Sequence, residues 1–350
     1  MPREYSRLLY FGQATWGCTS RQRFDALKGM FKEAYLVDSR RVFPDKKAGR
    51  SFLVSVQGRL GRGPILKRAA QVLMQEAARF KPDILWIDGG FFVSRETLEE
   101  VRCRFGCLIV HYTPDSLAAP GLSNRCMRRA IPAYNAVVTT KEQDLPAYRQ
   151  FGARHIISSL QGFDPGIHRP LSLTPGEKSA WGCDVSFVGQ YMADRAGSLD
   201  YLCAGQNIDL KIYGFGWQGR SVPKRLKPLF RGAAMGDDYA RVISASRISL
   251  GFLNHKVGDT YTTRTLEIPA AGGFLLAERT ARHQELFAEG TEAAFFSSAA
   301  ELADKVNYYL SHENEREKIA RAGHKKVMTA GYTWEKLMQQ VMSEAVKLVP

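Results

Sequence analysis

The chain has 350 residues, 45% of them hydrophobic, with 49 Lys and Arg against 35 Asp and Glu for a net charge of +14. That apolar content suffices for two cores and requires neither disorder nor a metal staple. No run of about 18 apolar residues is present to span a membrane, and the charged start Met1-Pro-Arg-Glu-Tyr-Ser-Arg7 does not resemble a secretory leader, so a cytoplasmic protein is expected.

The surplus charge is lopsided. Residues 1–170 hold 27 Lys and Arg against 15 Asp and Glu, whereas residues 171–350 hold 22 against 20. A basic first half fits an anionic partner (nucleic acid, an acidic membrane surface, or an acidic or phosphorylated acceptor) or simply an arginine-rich composition. Basic clusters at Arg40–Arg50, Arg59–Arg68 and Lys224–Arg231 can dock on anionic lipid or stand as solvated loops. The six cysteines lack paired spacing, and no second Cys or His pair completes a zinc site around Cys103 and Cys107. Reduced, mostly buried thiols are expected.

In chain order, Arg7–Phe11 reads as a strand. Trp16–Arg23 is a turn opening a helix through Met30, with the Thr19 or Ser20 hydroxyl as a cap. Ala34–Asp38 is a strand, Ile65–Arg79 a helix, and Pro82–Asp88 a buried strand ending in Gly89-Gly90. Ser94 caps a helix through Phe105. Cys107–His111, Ala136–Thr139 and Ala153–Ser158 are strands, and Lys141–Phe151 a helix. Gly162-Phe-Asp-Pro-Gly-Ile-His-Arg-Pro170 is turn-rich and reads as a linker.

The pattern then restarts with strands at Cys183–Gly189, Leu210–Tyr213, Ile248–Leu253 and Ala293–Phe296. Helices are predicted at Arg195–Ala204, Tyr239–Ser246, His283–Glu289, Ala299–Leu310, Asn314–Ala330 and Thr333–Val349. Short apolar runs alternating with helices give parallel sheets covered on both faces. Two doubly wound α/β domains are expected, 1–170 and 171–335, facing across a cleft. Residues 336–350 form a last helix able to pack back on the first domain. Ligands bind such sheets at the strand carboxyl ends.

Thr262-Thr-Arg-Thr-Leu-Glu-Ile-Pro-Ala-Ala-Gly-Gly-Phe-Leu-Leu-Ala-Glu278 carries the most chemistry. It reads as a short helix, with Thr262, Thr263 or Thr265 as cap, delivering the chain into the strand Phe274–Ala277. Its first turn offers backbone N–H groups to an anion. Arg264 and Glu267 share a helix face, a guanidinium for phosphate and a carboxylate for ribose hydroxyls. An ordinary surface helix is the plainer alternative.

The run Asp184-Val-Ser-Phe-Val-Gly-Gln-Tyr-Met-Ala-Asp-Arg195, then Asp209–Trp217, Ile248–Asn254 and Arg264–Glu278, followed by Glu285-Leu-Phe, Tyr308-Tyr-Leu and Tyr332-Thr-Trp334, resembles the CgeB-like (spore maturation protein type) glycosyltransferases. That group has the GT-B fold, two Rossmann-like domains, and is related to the retaining group-one transferases. The resemblance is specific over 180–335 and looser before it. It implies a sugar transferred, with retention, from a nucleotide-diphospho-sugar to an anionic glycan, lipid-linked or protein acceptor, with no other cofactor.

By the same resemblance Glu267 accepts from the ribose and Arg195 neutralises the diphosphate, where Asp200 replaces an accompanying Lys. Arg264 or Lys256 can supply that second charge. Gly189, Tyr213, Gly214, Asn254, Thr262 and Thr263 complete the donor side. His111 is implied as the catalytic residue, its alternative being a satisfied imidazole. Asp115 is the runner-up as a general base in an inverting variant, or else a turn residue after Pro114. Gly12, Trp16 and Asp88 fall on the acceptor side. No metal is expected, because Asp237-Asp238 lacks an Asp-x-Asp spacing and suits a cap for the Tyr239 helix.

Two other enzyme readings keep the fold, a nucleotide-sugar epimerase or a hydrolase. A noncatalytic sugar-nucleotide sensor is another. Sequence-specific nucleic-acid binding has no supporting motif. Contact with the inner face of a membrane is compatible with the basic half.

Overall fold

The computed structural model describes residues 5–42, 52–119, 123–205 and 207–348. In chain order the elements are β1 (Arg7–Gly12), α1 (Thr19–Lys28), β2 (Glu33–Asp38), α2 (Phe52–Leu60), α3 (Pro64–Phe80), β3 (Ile84–Asp88), α4 (Arg95–Phe105), β4 (Leu108–Thr113), α5 (Arg125–Ala130), β5 (Ala136–Thr139), α6 (Leu145–Gln150) and β6 (Ile156–Ser158). They continue with α7 (Pro175–Trp181), β7 (Cys183–Val188), α8 (Ala193–Gly205), β8 (Leu210–Tyr213), α9 (Asp237–Ala245), β9 (Ser246–Gly251), α10 (Arg264–Ala270), β10 (Leu275–Glu278), α11 (Ala281–Leu286), β11 (Ala294–Phe296), α12 (Ala299–Ser311), α13 (Glu313–Thr329) and α14 (Trp334–Lys347).

The chain divides into two compact units, residues 1–161 with 334–350, and residues 162–333. The first unit ends ahead of the boundary expected at 170, and its last segment is α14.

The first unit holds a six-stranded parallel sheet in the order β2-β1-β3-β4-β5-β6. Successive residues of a strand face opposite sides, and the two faces have separate cores. Leu9, Phe11, Leu85, Ile87 and Ile109 pack on one side. Leu8, Tyr10, Trp86, Val110 and Tyr112 pack on the other with Trp334, Met338 and Val341 of α14. All six residues of β4 are buried, as a central strand covered on both faces requires.

The second unit has a five-stranded parallel sheet, β11-β10-β9-β7-β8. Val185, Phe187, Ile212, Leu250 and Leu276 form its core with Leu199 and Leu202 of α8 and Leu302 and Val306 of α12.

Three helices escape the sequence reading. α5 is six residues long and half arginine, and α2 carries two valines and a glycine, weak helix formers. α7 buries no residue, so it shows no apolar period. Only a capping box marks it: Thr174 accepts from the Glu177 N–H, and Glu177 accepts from the Thr174 N–H. The Ser94 cap is present, its Oγ accepting from Thr97 N–H. Other expected caps are not. α1 starts after Cys18 without a side-chain bond, and Ser20 Oγ accepts from Gln13 N–H instead. α9 is capped by Gly236, with Asp237 and Asp238 in its first turn. Three of the six free cysteines are buried and Cys103 is exposed. Part of the Arg40–Arg50 cluster, residues 43–50, lies outside the described residues.

Candidate functional site

A doubly wound sheet opens at the carboxyl ends of the two strands where its order reverses. In the second unit these are β7 and β9. Arg195, in the first turn of α8, bridges that opening: Nε donates to Leu253 O and Nη1 to Gln190 O, each at 3.1 Å. Two backbone carbonyls therefore hold a guanidinium that carries its charge in a partly buried place. Burial lowers its pKa, and Asp194, Asp259 and Glu278 oppose that.

Beside it, the buried side-chain oxygen of Asn254 has no hydrogen-bond partner among the described residues. Such an atom calls for a donor, because an unmet buried polar group costs about 1–3 kcal/mol. Glu278 ends β10 with Oε2 2.7 Å from His255 Nε2. Burial raises the Glu278 pKa, against the pull of His255 and Arg195.

The two glycines are required by the protein's own packing. A Cβ at Gly189 would meet the Phe187 ring at 2.5 Å, and one at Gly214, where φ is +129°, would meet Gly189 O at 2.2 Å. Tyr213 is buried, stacked 6.3 Å from Trp181, and its phenol is pushed up to about 12, mainly by burial.

The opening of α10 departs from expectation. Its N-cap Thr263 has helical backbone angles and no side-chain cap. The N–H groups of Thr265, Leu266 and Glu267 already bond Thr262 and Thr263 carbonyls. Thr262 N–H donates to Thr265 Oγ1. Thr265 Oγ1 lies 2.8 Å from His283 Nε2, while His283 Nδ1 lies 2.6 Å from Glu278 O. A neutral imidazole donating to that carbonyl and accepting the threonine hydroxyl ties α10 to the end of β10. Burial, the main cause, holds His283 down to about 4.

Arg264 and Glu267 do share a face, and they bind each other. Arg264 Nε also donates to Val188 O at 2.9 Å, and its guanidinium lies 4.8 Å from the Tyr239 ring centre. Glu267 is 1% exposed, and its other oxygen is 3.5 Å from His168 Nε2.

In the first unit the order reverses between β1 and β3, and a cavity of about 600 Å³ occupies their carboxyl ends. Its walls include Gln13, Thr19, Arg40, Gly89, Asp88 and Asp115. Asp88 is held in a bidentate pair by Arg23, at 2.8 and 3.0 Å, and accepts from Tyr10 OH at 2.7 Å. The Arg23 guanidinium lies 4.3 Å from the Tyr112 ring centre and 5.0 Å from that of Trp334. This carboxylate is neutralised in place. A Cβ at Gly12 would meet the Tyr10 ring at 2.4 Å and Ser20 Oγ at 2.7 Å.

Asp115 is exposed at the cavity wall, on a loop that Asp144 holds by accepting from Ser116 Oγ, Leu117 N–H and Ala118 N–H. His111 differs from expectation. It does not end its strand, because β4 pairs on through Thr113. It is fully buried, stacked on Tyr134 at 4.7 Å, and is not among the cavity walls. Burial holds its pKa down to about 4. Trp16 is 58% exposed and also stands apart from that cavity.

Arg195, Asn254, Gly189 and Gly214 thus gather at one end of the second sheet, with Thr262, Thr263, Arg264 and Glu267 linked to it through Val188. Sequence reasoning missed the role of Arg23, Asp144, His283 and Glu278. Only Glu278, a carboxylate ending a predicted strand, left a visible signal. Among the described residues no group of three His, Cys, Asp or Glu could hold a metal ion.

Residues 195–343 match a protein family described as glycosyl transferase-like. No curated protein matches the chain. Among solved structures, sucrose-phosphate synthase from Thermosynechococcus elongatus superposes with a TM-score of 0.69 at 13% identity, over 98% of this chain and 99% of that one. Anabaena HepE in complex with UDP-glucose gives 0.68 at 14%, over 97% and 99%. The E. coli trehalose-6-phosphate protein bound with UDP-2-fluoro glucose gives 0.67 at 12%, over 99% and 100%. The fold is GT-B, residues 195–343 are a glycosyl transferase-like domain, and on that match the enzyme class is glycosyltransferase.

Proposed function

We propose that this chain, as a CgeB-like transferase, moves a sugar from a nucleoside-diphospho-sugar to an anionic glycan, lipid-linked or protein acceptor, with retention and without a metal. The observation that carries the reading is Arg195, a guanidinium fixed by two carbonyls at the reversal point of the second sheet. A leaving diphosphate gathers negative charge, and a cation held in place beforehand stabilises it without reorganisation. Gly189, Tyr213, Gly214, Asn254, Thr262 and Thr263 form the rest of the donor side. The Asn254 oxygen is available to a sugar or ribose hydroxyl. Glu267 reads the ribose with its carboxylate oriented by Arg264.

On the acceptor side, the exposure of Asp115 favours it over His111 as the group that positions the acceptor hydroxyl, with Asp88 on the same cavity wall, Gly12 between the wall residues Phe11 and Gln13, and Trp16 as an exposed ring farther out. This reading places the protein in the cytoplasm, touching the inner face of a membrane when the acceptor is lipid-linked. Among the described residues no helix is long and apolar enough to cross one. Two structural relatives were solved with UDP-sugars, which makes UDP and UDP-glucose the first probes.

Calorimetric titration with UDP and UDP-glucose tests the donor side. Arg195→Ala should weaken binding by roughly 10- to 100-fold, one charge-assisted contact to phosphate. Arg195→Lys should recover part of the loss, and Arg321→Ala on the surface should change nothing. Wild-type affinity in Arg195→Ala would remove the basis of the proposal.

A second reading has one observation in its favour. A putative UDP-N-acetylglucosamine 2-epimerase from Listeria monocytogenes also superposes, at a TM-score of 0.58 and 11% identity over 97% of this chain and 95% of that one. Incubation with donor alone separates the two: an epimerase or hydrolase turns over at full rate, and a transferase waits for its acceptor.

A further inference from the structure

A second hollow in the first unit is separate from the one at the sheet's reversal point. It is an open groove of about 930 Å³ against α5, and five arginines line it: Arg59, Arg95, Arg125, Arg128 and Arg129. Glu96 is its single acidic wall residue. The Glu96 carboxyl is kept below its usual range by its own backbone N–H and Ser94, so it remains charged and already engaged. Arg95 is already paired with Glu99 at 2.7 Å, and the other four guanidinium groups around one hollow repel each other, an arrangement that a bound polyanion relieves.

The groups are built in. A Cβ at Gly58 would lie 2.7 Å from Asn124 Nδ2, so glycine lets α2 cross close to α5 and brings Arg59 to the rim. Asn124 caps α5 through Met127 N–H and donates to Phe91 O at 2.7 Å. Arg128 Nε donates to Ser123 Oγ at 2.9 Å, and its guanidinium lies 5.6 Å from the Phe151 ring centre.

We infer that this groove binds an acidic saccharide chain, one bearing carboxylates or phosphates along its length. Planar guanidinium forks match carboxylate and phosphate oxygens. Ser123 and Gln150 on the wall are suited to sugar hydroxyls, and the Phe151 ring to the apolar face of a pyranose. A bilayer surface is a poorer fit: it is flat, and the cationic wall here is concave and contains no lysine. A nucleic acid would want a row of stacking aromatics, and Phe151 is the one aromatic on this wall. The inference rests on the proposed function in that the saccharide would be the acceptor, gripped away from the reacting end. Its test is direct binding, independent of turnover.

The probe is an oligogalacturonate of about eight residues, with a neutral malto-oligosaccharide of equal length, phosphatidylglycerol vesicles and duplex RNA as comparisons. The full chain should bind the uronate in a salt-dependent manner and ignore the neutral chain. Arg125→Ala/Arg129→Ala should lose at least about tenfold in uronate affinity, with UDP affinity and melting temperature unchanged. Lysine at both positions should restore part of the loss. Equal binding by wild type and the alanine variant overturns the inference. So does preferential capture of vesicles or RNA through the same arginines. If UDP fails to bind the wild type while the uronate result holds, the donor reading fails and the groove stands.

Discussion

The two units share a plan, a parallel sheet whose order reverses once, yet the charges at the two reversal points are handled in opposite ways. In the first unit Asp88 is closed off by Arg23 and Tyr10, inside a cage of Tyr112 and Trp334 rings. In the second, the hydrogen bonds that the Arg195 guanidinium makes among the described residues go to neutral carbonyls, with Asp194, Asp259 and Glu278 acting on it without closing a pair. A closed ion pair fixes the shape of a cavity, while a cation held by dipoles keeps its charge for something else. The same topology can therefore support a scaffold in one place and an anion site in another, and the partner of the charge decides which.

The largest expected effect breaks the first half of that contrast. Asp88→Ala leaves Arg23 charged, buried and unpaired, which should destabilise the first unit by about 3–5 kcal/mol. Thermal unfolding should show the loss in the transition of residues 1–161, while UDP binding by the second unit stays within twofold at a temperature below that transition. An unchanged transition would mean that the pair does not hold the cavity.

Acid should then act in two windows, the first shared by both units and the second set by the Glu289 and Glu301 carboxylates of the second unit. His111 in the first unit and His283 in the second are held down to about 4 from an ordinary value of 6.5, chiefly by burial. A base whose folded pKa is depressed adds protons more readily when unfolded. Its stabilising share is complete above pH 6.5 and is lost progressively as pH falls toward 4, by at most about 3 kcal/mol for each group. Glu289 and Glu301 are lowered to about 2 from 4.5, first by their bonds to Arg279, so their share drains away only between 4.5 and 2. Melting temperature should be flat around pH 7 and fall below 6.5. His283→Gln should flatten the decline of the second unit between 6.5 and 4 and leave that below 4.5 intact. A variant that titrates like wild type would show that His283 is not the group responsible.

Much of this architecture was legible beforehand, because every long strand or helix carries its own period. β3 is apolar up to Asp88 and β4 opens on Leu-Ile-Val, β7 and β9 alternate apolar residues with Ser186 and Ser249, and α3, α4 and α12 are amphipathic. Arg195 and Asn254 were named through the family resemblance, and the structure puts both near the carboxyl ends of β7 and β9. What stayed hidden depends on contacts distant in the chain. Arg23 and Asp88 are 65 residues apart, and nothing local marks either as half of a buried pair. Arg264 and Glu267 were chosen as separate tools, yet helix spacing that puts two side chains on one face also lets opposite charges find each other. His111 was read as a strand end because the apolar run stops there, whereas Tyr112 and Thr113 go on pairing. The arginines of α5 sat in plain view as Arg-Cys-Met-Arg-Arg, but a groove needs α2 and α4 beside them.

The smallest effect sharpens the contrast by separating folding from binding within the second unit. α7 buries no side chain; the reciprocal bonds of Thr174 and Glu177 close its start, and at its opposite end Trp181 stacks on Tyr213. Thr174→Ala removes one half of that cap and should cost about 1 kcal/mol, visible as a small drop in the second unit's melting temperature. Since neither residue touches Arg195 or the carbonyls that hold it, UDP affinity should not move. If a 1 kcal/mol loss at α7 weakened UDP as strongly as Arg195→Ala, nucleotide binding would be reporting the stability of the whole unit. The carbonyl-held guanidinium would then lose its special place, and with it the distinction between a charge that is closed off and one kept available.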